Sequence, residues 1–482
     1  MKNARLTKSD YLSYLDCPES FWLERNKPGV IMSKPRSKFA QFLVNEGYAV
    51  EAEAKKLIAS WPDAHRFSFQ TVFETTAGLY ARADMVRTRV DGSVDLFEIK
   101  GSTALKGSDG SDHVLDACYQ TIVAEKSGAK VSSVSIIHVN MEYERSGDIN
   151  PSELLVIVEV TERVAEMRDD VEATIAECQQ LIASDAINEA GCHCRYKGNR
   201  NNHCSAFAYL NPNIVEPSAY LLPRISSAKL RKFDKEGRLA LVDLKESDLT
   251  ALQIPVWRAL TSGEPVIDKL AVAEFLDALE WPLYFYDYET FAAAIPPADG
   301  HSPHQPLPVQ FSVHRLDKNG EITHFEYLSD FPGDQDVLAK KLSEVIGSTG
   351  SLLVWNKSTE MSLNKRMARI LPNFLIFLSE LNDRTVDLME VFKRDWVDPG
   401  FRGSTSIKNV LPVLVPELSY DHDAVHDGTG AMLAWWDMVS SADPDERVRL
   451  KSELLEYCKT DTLAMLEIVR VLRAIPDLCN YQ

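Results

Sequence analysis

Residues 281–291 read WPLYFYDYETF. Side chains alternate across a strand, so Asp287 and Glu289 share one face while their aromatic and apolar neighbours point the other way. Two like charges side by side in a mostly dry setting are costly. A divalent cation removes that cost, and hard cations such as Mg²⁺ and Mn²⁺ prefer carboxylate oxygens. The competing reading is a strand end with one solvated face.

Working outward, PVQFSVHRL (308–316) and THFEYLSDF (323–331) follow as further strands, which predicts a three-stranded meander. A helix, the strand SLLVWNKS (351–358) and more helices come next. The last helix, roughly 444–474, carries LLEYCKTDTLAMLEIVRVL. Tyr457 and Asp461 lie four apart and so on one helical face. The neighbours Leu454, Leu455, Leu463 and Met465 predict partial burial for Asp461.

The N-terminal half has a different order. Residues 40–60 read as helix. FSFQTVFETT, GLYARADMVRTRV and VDLFEIKGS read as strands, the last two turning on Asp91-Gly92. A helix follows around 112–127, then the β-branched strand VSSVSIIHVNM and a periodic helix over 161–186. Asp84 on one strand, with Glu98 and Lys100 two apart on the next, can bind one divalent metal. The lysine would position water or stabilise charge on a phosphate. A salt-bridged surface hairpin is the alternative.

A chain of 482 residues is too long for one core, and both halves read as α/β. No apolar run reaches the ~20 residues of a membrane helix, and no secretory h-region is present, so a cytoplasmic protein without a membrane partner is expected. A net charge of −19 argues against non-specific polyanion binding but not against a metal-dependent enzyme acting on nucleic acid. Of eight cysteines, Cys17 lies in LDCPESFWL and Cys192, Cys194 and Cys204 in GCHCRYKGNRNNHC; such clustering predicts metal ligation rather than disulfides.

Asp-x-Glu on a first strand with Tyr-x-x-x-Asp on a late helix resembles the DEDD exonucleases of the RNase H-like fold, tyrosine-bearing subclass. The resemblance covers about 281–475 and implies four acids holding two metals, with Asp287 bridging and Glu289, Glu360 and Asp461 completing the shells. Tyr457 would orient or help deprotonate the attacking water. In VWNKSTE, Glu360 stands where those enzymes have Asp and Thr359 where they have Phe. Asp387 in RTVDLMEVFK is a rival or additional acid. The run DPGFRGSTSIKNVLPVLVPELSYD, with HDGTGA, looks like a bacterial subset of undefined function.

Asp84, Glu98 and Lys100, followed by Tyr119-Gln120 on a helix, resemble the RecB-like branch of the PD-(D/E)XK nucleases. That resemblance implies a further acid on the preceding helix, with Glu46, Glu51 and Glu53 as candidates. It also implies a staple of one cysteine before the nuclease core and three after it. Cys17 against Cys192, Cys194 and Cys204 has that split, which suits a [4Fe–4S] cluster. Zinc is the alternative, with His193 and His203 as further ligands.

The expected organisation is a RecB-like domain over 1–210, a connector over 211–280 and an RNase H-like exonuclease domain over 281–482. The expected activity is Mg²⁺- or Mn²⁺-dependent hydrolysis of DNA or RNA, with 3′ to 5′ polarity in the second domain. Such a protein would suit DNA repair, mobile-element processing or defence. In the rival readings only the second domain cuts, or the protein is a nucleic-acid-binding adaptor.

Overall fold

The computed structural model describes residues 5–31, 37–105, 113–418, 425 and 427–475. The end of the SYD run, His426 and Cys479 lie outside the described residues. The protein is mixed α/β with two mixed sheets. It divides into two compact units, Met1–Asn213 with Ala293–Gln305, and Ile214–Ala292 with Pro306–Gln482. Residues 214–280, expected as a connector, thus count with the second unit, where they form short helices and the strand Val266–Ile267.

The first unit is built on six strands: β1 (Leu6–Thr7), β2 (Phe67–Glu74), β3 (Leu79–Thr88), β4 (Val94–Lys100), β5 (Val131–Val139) and β6 (Leu155–Glu159). Their order is β1-β3-β4-β5-β6, with β2 also on β3. Strands β3 and β4 form the expected hairpin, turning at Gly92, whose φ of +81° a side chain would strain. The β4–β5 pair is parallel, so the chain must cross over, and the helix His113–Lys126 supplies that crossover. One face of the sheet buries Leu96, Val134 and Ile136 with that helix and with Thr161–Ala183. The other buries Met85, Phe97 and Ile137 beneath Val50, Ala54 and Ile58 of the helix Lys38–Ala59.

In the second unit β7 (Val266–Ile267) pairs with β13 (Trp396–Val397), apart from the main sheet. The main sheet runs β10 (Ile322–Leu328), β9 (Leu307–Leu316), β8 (Leu283–Phe291), β11 (Leu352–Val354), β12 (Thr385–Asp387). β8, β9 and β10 are the expected antiparallel meander, and β11 and β12 add in parallel. Alternation on β8 sorts its side chains: Tyr284, Tyr286 and Tyr288 enter one core, while Leu283 and Phe285 enter the other. Asp287 and Glu289 continue the second row. Over that face lies the helix Pro444–Arg473, contributing Ala464, Met465, Ile468 and Val469. Its start is fixed by Asp443, which caps Asp445 N, by Pro444, and by acids in the first turn; Arg470 and Arg473 complement the dipole at its end.

Candidate functional site

The second unit gathers most of its sequence-nominated acids around the centre of β8. Helix Pro444–Arg473 brings Tyr457, Cys458 and Asp461 to the face that carries Asp287 and Glu289. The Cys458 Sγ lies 4.0 Å from Asp287 Oδ2. One ligand atom from each of Asp287, Glu289 and Cys458 falls within 4.8 Å of the others. Burial, then Asp461, Glu289 and Glu360, hold the Asp287 carboxyl well above its ordinary range. Burial and Asp461 raise Glu289 likewise, against the opposing charge of Lys408.

Glu360 comes from the helix Lys357–Ile370, which follows β11. It is 3 % exposed, and its Oε2 is buried without a hydrogen-bond partner. Burial, reinforced by Asp387, pushes its carboxyl up to about 8. Asp387 has a different occupation: its carboxylate accepts from the amides of Asn356 (3.1 Å), Lys357 (3.2 Å) and Met389 (3.1 Å). It therefore fixes the start of the helix that carries Glu360, including Asn356 in its left-handed conformation, φ +77°. Tyr457 is buried, and Lys408 Nζ donates to its hydroxyl at 3.2 Å. Burial and the charges of Asp461, Glu289 and Asp287 raise the phenol above its usual value, so Tyr457 keeps its proton.

The first unit is arranged otherwise. Asp84 Oδ2 accepts from Ile99 N at 2.9 Å, which ties β3 to β4 beside Glu98. Glu98 meets Lys8 Nζ at 2.6 Å and Lys100 Nζ at 2.8 Å, and Gln120 donates to its other oxygen. Lys100 also pairs with Asp116. Burial would raise Glu98, but the two lysines hold it down at about 2. Burial and Glu98 together raise Asp84 to about 7.

The three glutamates proposed for the preceding helix separate. Glu51 bonds Gln70 (3.0 Å) and Lys55 (2.8 Å), and Glu46 accepts from Ala294 N. Glu53 pairs with Lys56 at 2.7 Å, while its Oε2 is buried without a partner. Among the described residues, no three acids of this unit bring ligand atoms within 4.8 Å of one another. Tyr119 is structural, its hydroxyl donating to Leu6 O at 2.7 Å.

Residues 284–406 match a domain of unknown function (DUF2779). That stretch spans Asp287, Glu289, Glu360 and Asp387. None of the curated proteins matches. A solved structure titled "Crystal structure of SSO0001" is 14% identical, over 37% of this chain and 77% of that one, with a TM-score of 0.24.

The four nominated cysteines do converge. The Sγ atoms of Cys17, Cys192, Cys194 and Cys204 all lie within 4.8 Å of one another, with Cys204 and Cys192 at 4.0 Å, so together they can bind a metal. Cys17 stands at the N-cap of the helix Pro18–Asn26, and Cys194 lies in the turn His193–Tyr196. Trp22, Leu23, Ala206 and Leu210 pack around Cys192 and Cys204. Mutual hydrogen bonding, from Cys17 above all, lowers the Cys194 thiol to about 6 and Cys192 further, while Cys17 is raised. The histidines face elsewhere. His193 bonds Glu19 at 2.9 Å, and His203 bonds Lys197 O at 2.8 Å and stacks on Phe207.

Sequence reading missed Lys8, Asp116, Lys408 and Cys458. Two of these left a local signal: Asp116 precedes Gln120 by one helical turn, and Cys458 sits inside the Tyr-x-x-x-Asp motif itself. Lys8 reaches Glu98 because Leu6–Thr7 pairs with Leu79–Tyr80. Nothing local announces that pairing.

Proposed function

We propose that this protein is a metal-dependent nuclease whose principal active site is the acid cluster of the second unit. The observation that carries this reading is the buried group of Asp287, Glu289 and Glu360. Their carboxyls are all raised, and one Glu360 oxygen has no partner. Acids buried in this way are stable as anions only beside a cation. The oxygen donor set fits Mg²⁺ or Mn²⁺. Asp287 and Glu289 would hold it, with Glu360 and Asp461, whose charges act on both but which fall outside the 4.8 Å group, completing the set; when bound it would neutralise the charge on a phosphodiester's oxygens. Tyr457, kept protonated, would orient the attacking water by hydrogen bonding rather than take its proton. Lys408 holds the phenol in place and adds positive charge. The resemblance to RNase H-like DEDD exonucleases agrees with this assignment, and Asp387 fixes the start of the helix that carries Glu360.

The first unit resembles a RecB-like PD-(D/E)XK nuclease, with Asp84, Glu98 and Lys100 as its chemistry. Its acids are already answered by lysines, and that favours a second reading in which this unit grips nucleic acid without cutting it. The deciding experiment is Mn²⁺-dependent degradation of end-labelled single-stranded DNA and RNA by wild type, Asp287→Ala and Lys100→Ala. We expect Asp287→Ala to abolish stepwise end digestion. A separate loss in Lys100→Ala would establish two active sites; unchanged activity there would leave the first unit as a clamp.

The cysteine group supports a resident metal in the first unit. A tetrahedral zinc site with Zn–S of about 2.3 Å spaces its sulfurs by about 3.8 Å; Cys192 and Cys204 stand 4.0 Å apart and all four thiols lie within 4.8 Å of one another. A cubane holds each thiolate on a different iron and so further apart. The spacing therefore favours a single ion such as zinc over the [4Fe–4S] cluster suggested by the resemblance. Metal analysis of anaerobically purified protein decides it: one zinc and no absorbance near 400 nm is expected, and four irons would reverse the assignment.

A further inference from the structure

We propose that Cys458 is a metal ligand of the second unit's site, giving that site a sulfur donor and a preference for thiophilic divalent cations over Mg²⁺. The inference rests on the reading of the Asp287 cluster as a cation site and specifies which cations it takes. A buried thiol in a core ordinarily packs among apolar groups. Cys458 is fully buried, yet its Sγ lies 3.9 Å from the Asp287 carbonyl and 4.0 Å from Oδ2 of the same residue. It completes a three-residue group with Asp287 and Glu289 whose ligand atoms fall within 4.8 Å of one another. A second observation is the Oε2 of Glu360, which is buried without a hydrogen-bond partner. That residue is 3 % exposed, and its charge acts on both Asp287 and Glu289.

The chemistry of ligation is simple. The Sγ–H bond breaks, the proton leaves to solvent, and a sulfur–metal bond forms. Burial first, then the charges of Asp287, Glu289 and Asp461, favours the protonated thiol. A divalent charge reverses that balance, because a coordinating thiol is deprotonated outright. Soft sulfur adds little for Mg²⁺ but much for Zn²⁺ and Cd²⁺, with Mn²⁺ between.

The test is titration calorimetry of the full chain, its four-cysteine site already loaded, with MgCl₂, MnCl₂ and CdCl₂. Wild type is compared with Cys458→Ser, Cys458→Ala and Asp287→Ala. We expect both Cys458 variants to lose about tenfold or more in Cd²⁺ affinity while Mg²⁺ affinity barely moves. The ultraviolet cadmium–thiolate band should shrink, and wild-type Cd²⁺ affinity should rise more steeply with pH than that of the variants. Equal Cd²⁺ binding and an unchanged band in folded Cys458→Ala would overturn the proposal while leaving the acid site intact. Unchanged binding of every metal by Asp287→Ala would instead remove the acid site itself. Should Cys458→Ser fail to fold, Cys458→Ala carries the comparison, and the cadmium band of wild type against Asp287→Ala remains as a second readout.

Discussion

In the first unit Glu98 is met by two ammonium groups and an amide, and its carboxyl is driven down to about 2. In the second, burial and then the charges of Asp461, Asp427 and Glu360 drive the Glu289 carboxyl up against the single opposing charge of Lys408. Both residues are buried glutamates on central strands, close to a second acid. What differs is whether the chain supplies the counter-charge itself. A self-neutralised cluster is stable in the absence of a ligand; an unneutralised one is stable only when protonated or when a cation arrives. The second unit is therefore where metal should matter most.

The largest effect that sharpens this contrast is on activity. Asp287→Ala should lower the rate of end digestion by about 100-fold or more, the order seen when one group stabilising transition-state charge is removed. Lys100→Ala should do far less. Equal losses in the two variants would erase the contrast, and the reverse order would move the principal site to the first unit.

A mid-sized effect concerns stability and pH. The Glu360 carboxyl titrates at about 8 in the folded chain against 4.5 for the free group. Across that window the folded state holds a proton that the unfolded state has lost, so metal-free stability falls as pH rises from about 4.5 towards 8. Glu360→Gln removes the share of that dependence that Glu360 contributes, while Asp287 and Glu289, raised likewise, keep theirs. In chelator the variant's melting temperature should match wild type near pH 4.5 and exceed it above pH 8, by about 2–4 °C for each kcal/mol recovered. Saturating Mn²⁺ should reverse the order, because wild type gains more from binding. Identical melting at both pH values would mean that Glu360 is answered by a group in its own shell.

How much of this was legible in the sequence follows from the range of each signal. The β8 meander, the β3–β4 hairpin and the long helices are written in local alternation, turn residues and caps, and they form where expected. Asp287 and Glu289 were readable because strand period alone puts them on one face, and the four cysteines because their clustering is visible in one dimension. The misses are long-range. Whether Glu98 is a bare acid or a neutralised one depends on Lys8, ninety residues away, and on a parallel pairing of two residues at a strand edge. The alternative roles of Asp387 separate only once three backbone amides are seen around its carboxylate. The segment 211–280 read as a connector because its helices are short and lack strong periodicity. Its burial comes from tertiary packing, as with Val272 and Leu276 in the second unit's core.

The smallest effect probes the first unit's self-neutralisation directly. Lys8 touches Glu98 at 2.6 Å and lies 4.0 Å from Asp116, so its ammonium stands where a cation shared by those acids would gain most. If Lys8 competes with a metal there, Lys8→Met should raise the Mn²⁺ affinity of this unit by a few-fold, measured in an Asp287→Ala background that silences the other site. It should also push Asp84 above its present value of about 7, because Lys8 is one of the charges holding that carboxyl down. The gain stays small because Lys100 remains within 2.8 Å of Glu98 and takes over most of the neutralisation. A fall in Mn²⁺ affinity would show that Lys8 holds Glu98 in its ligating position instead. The two clusters would then differ in degree of compensation and not in kind.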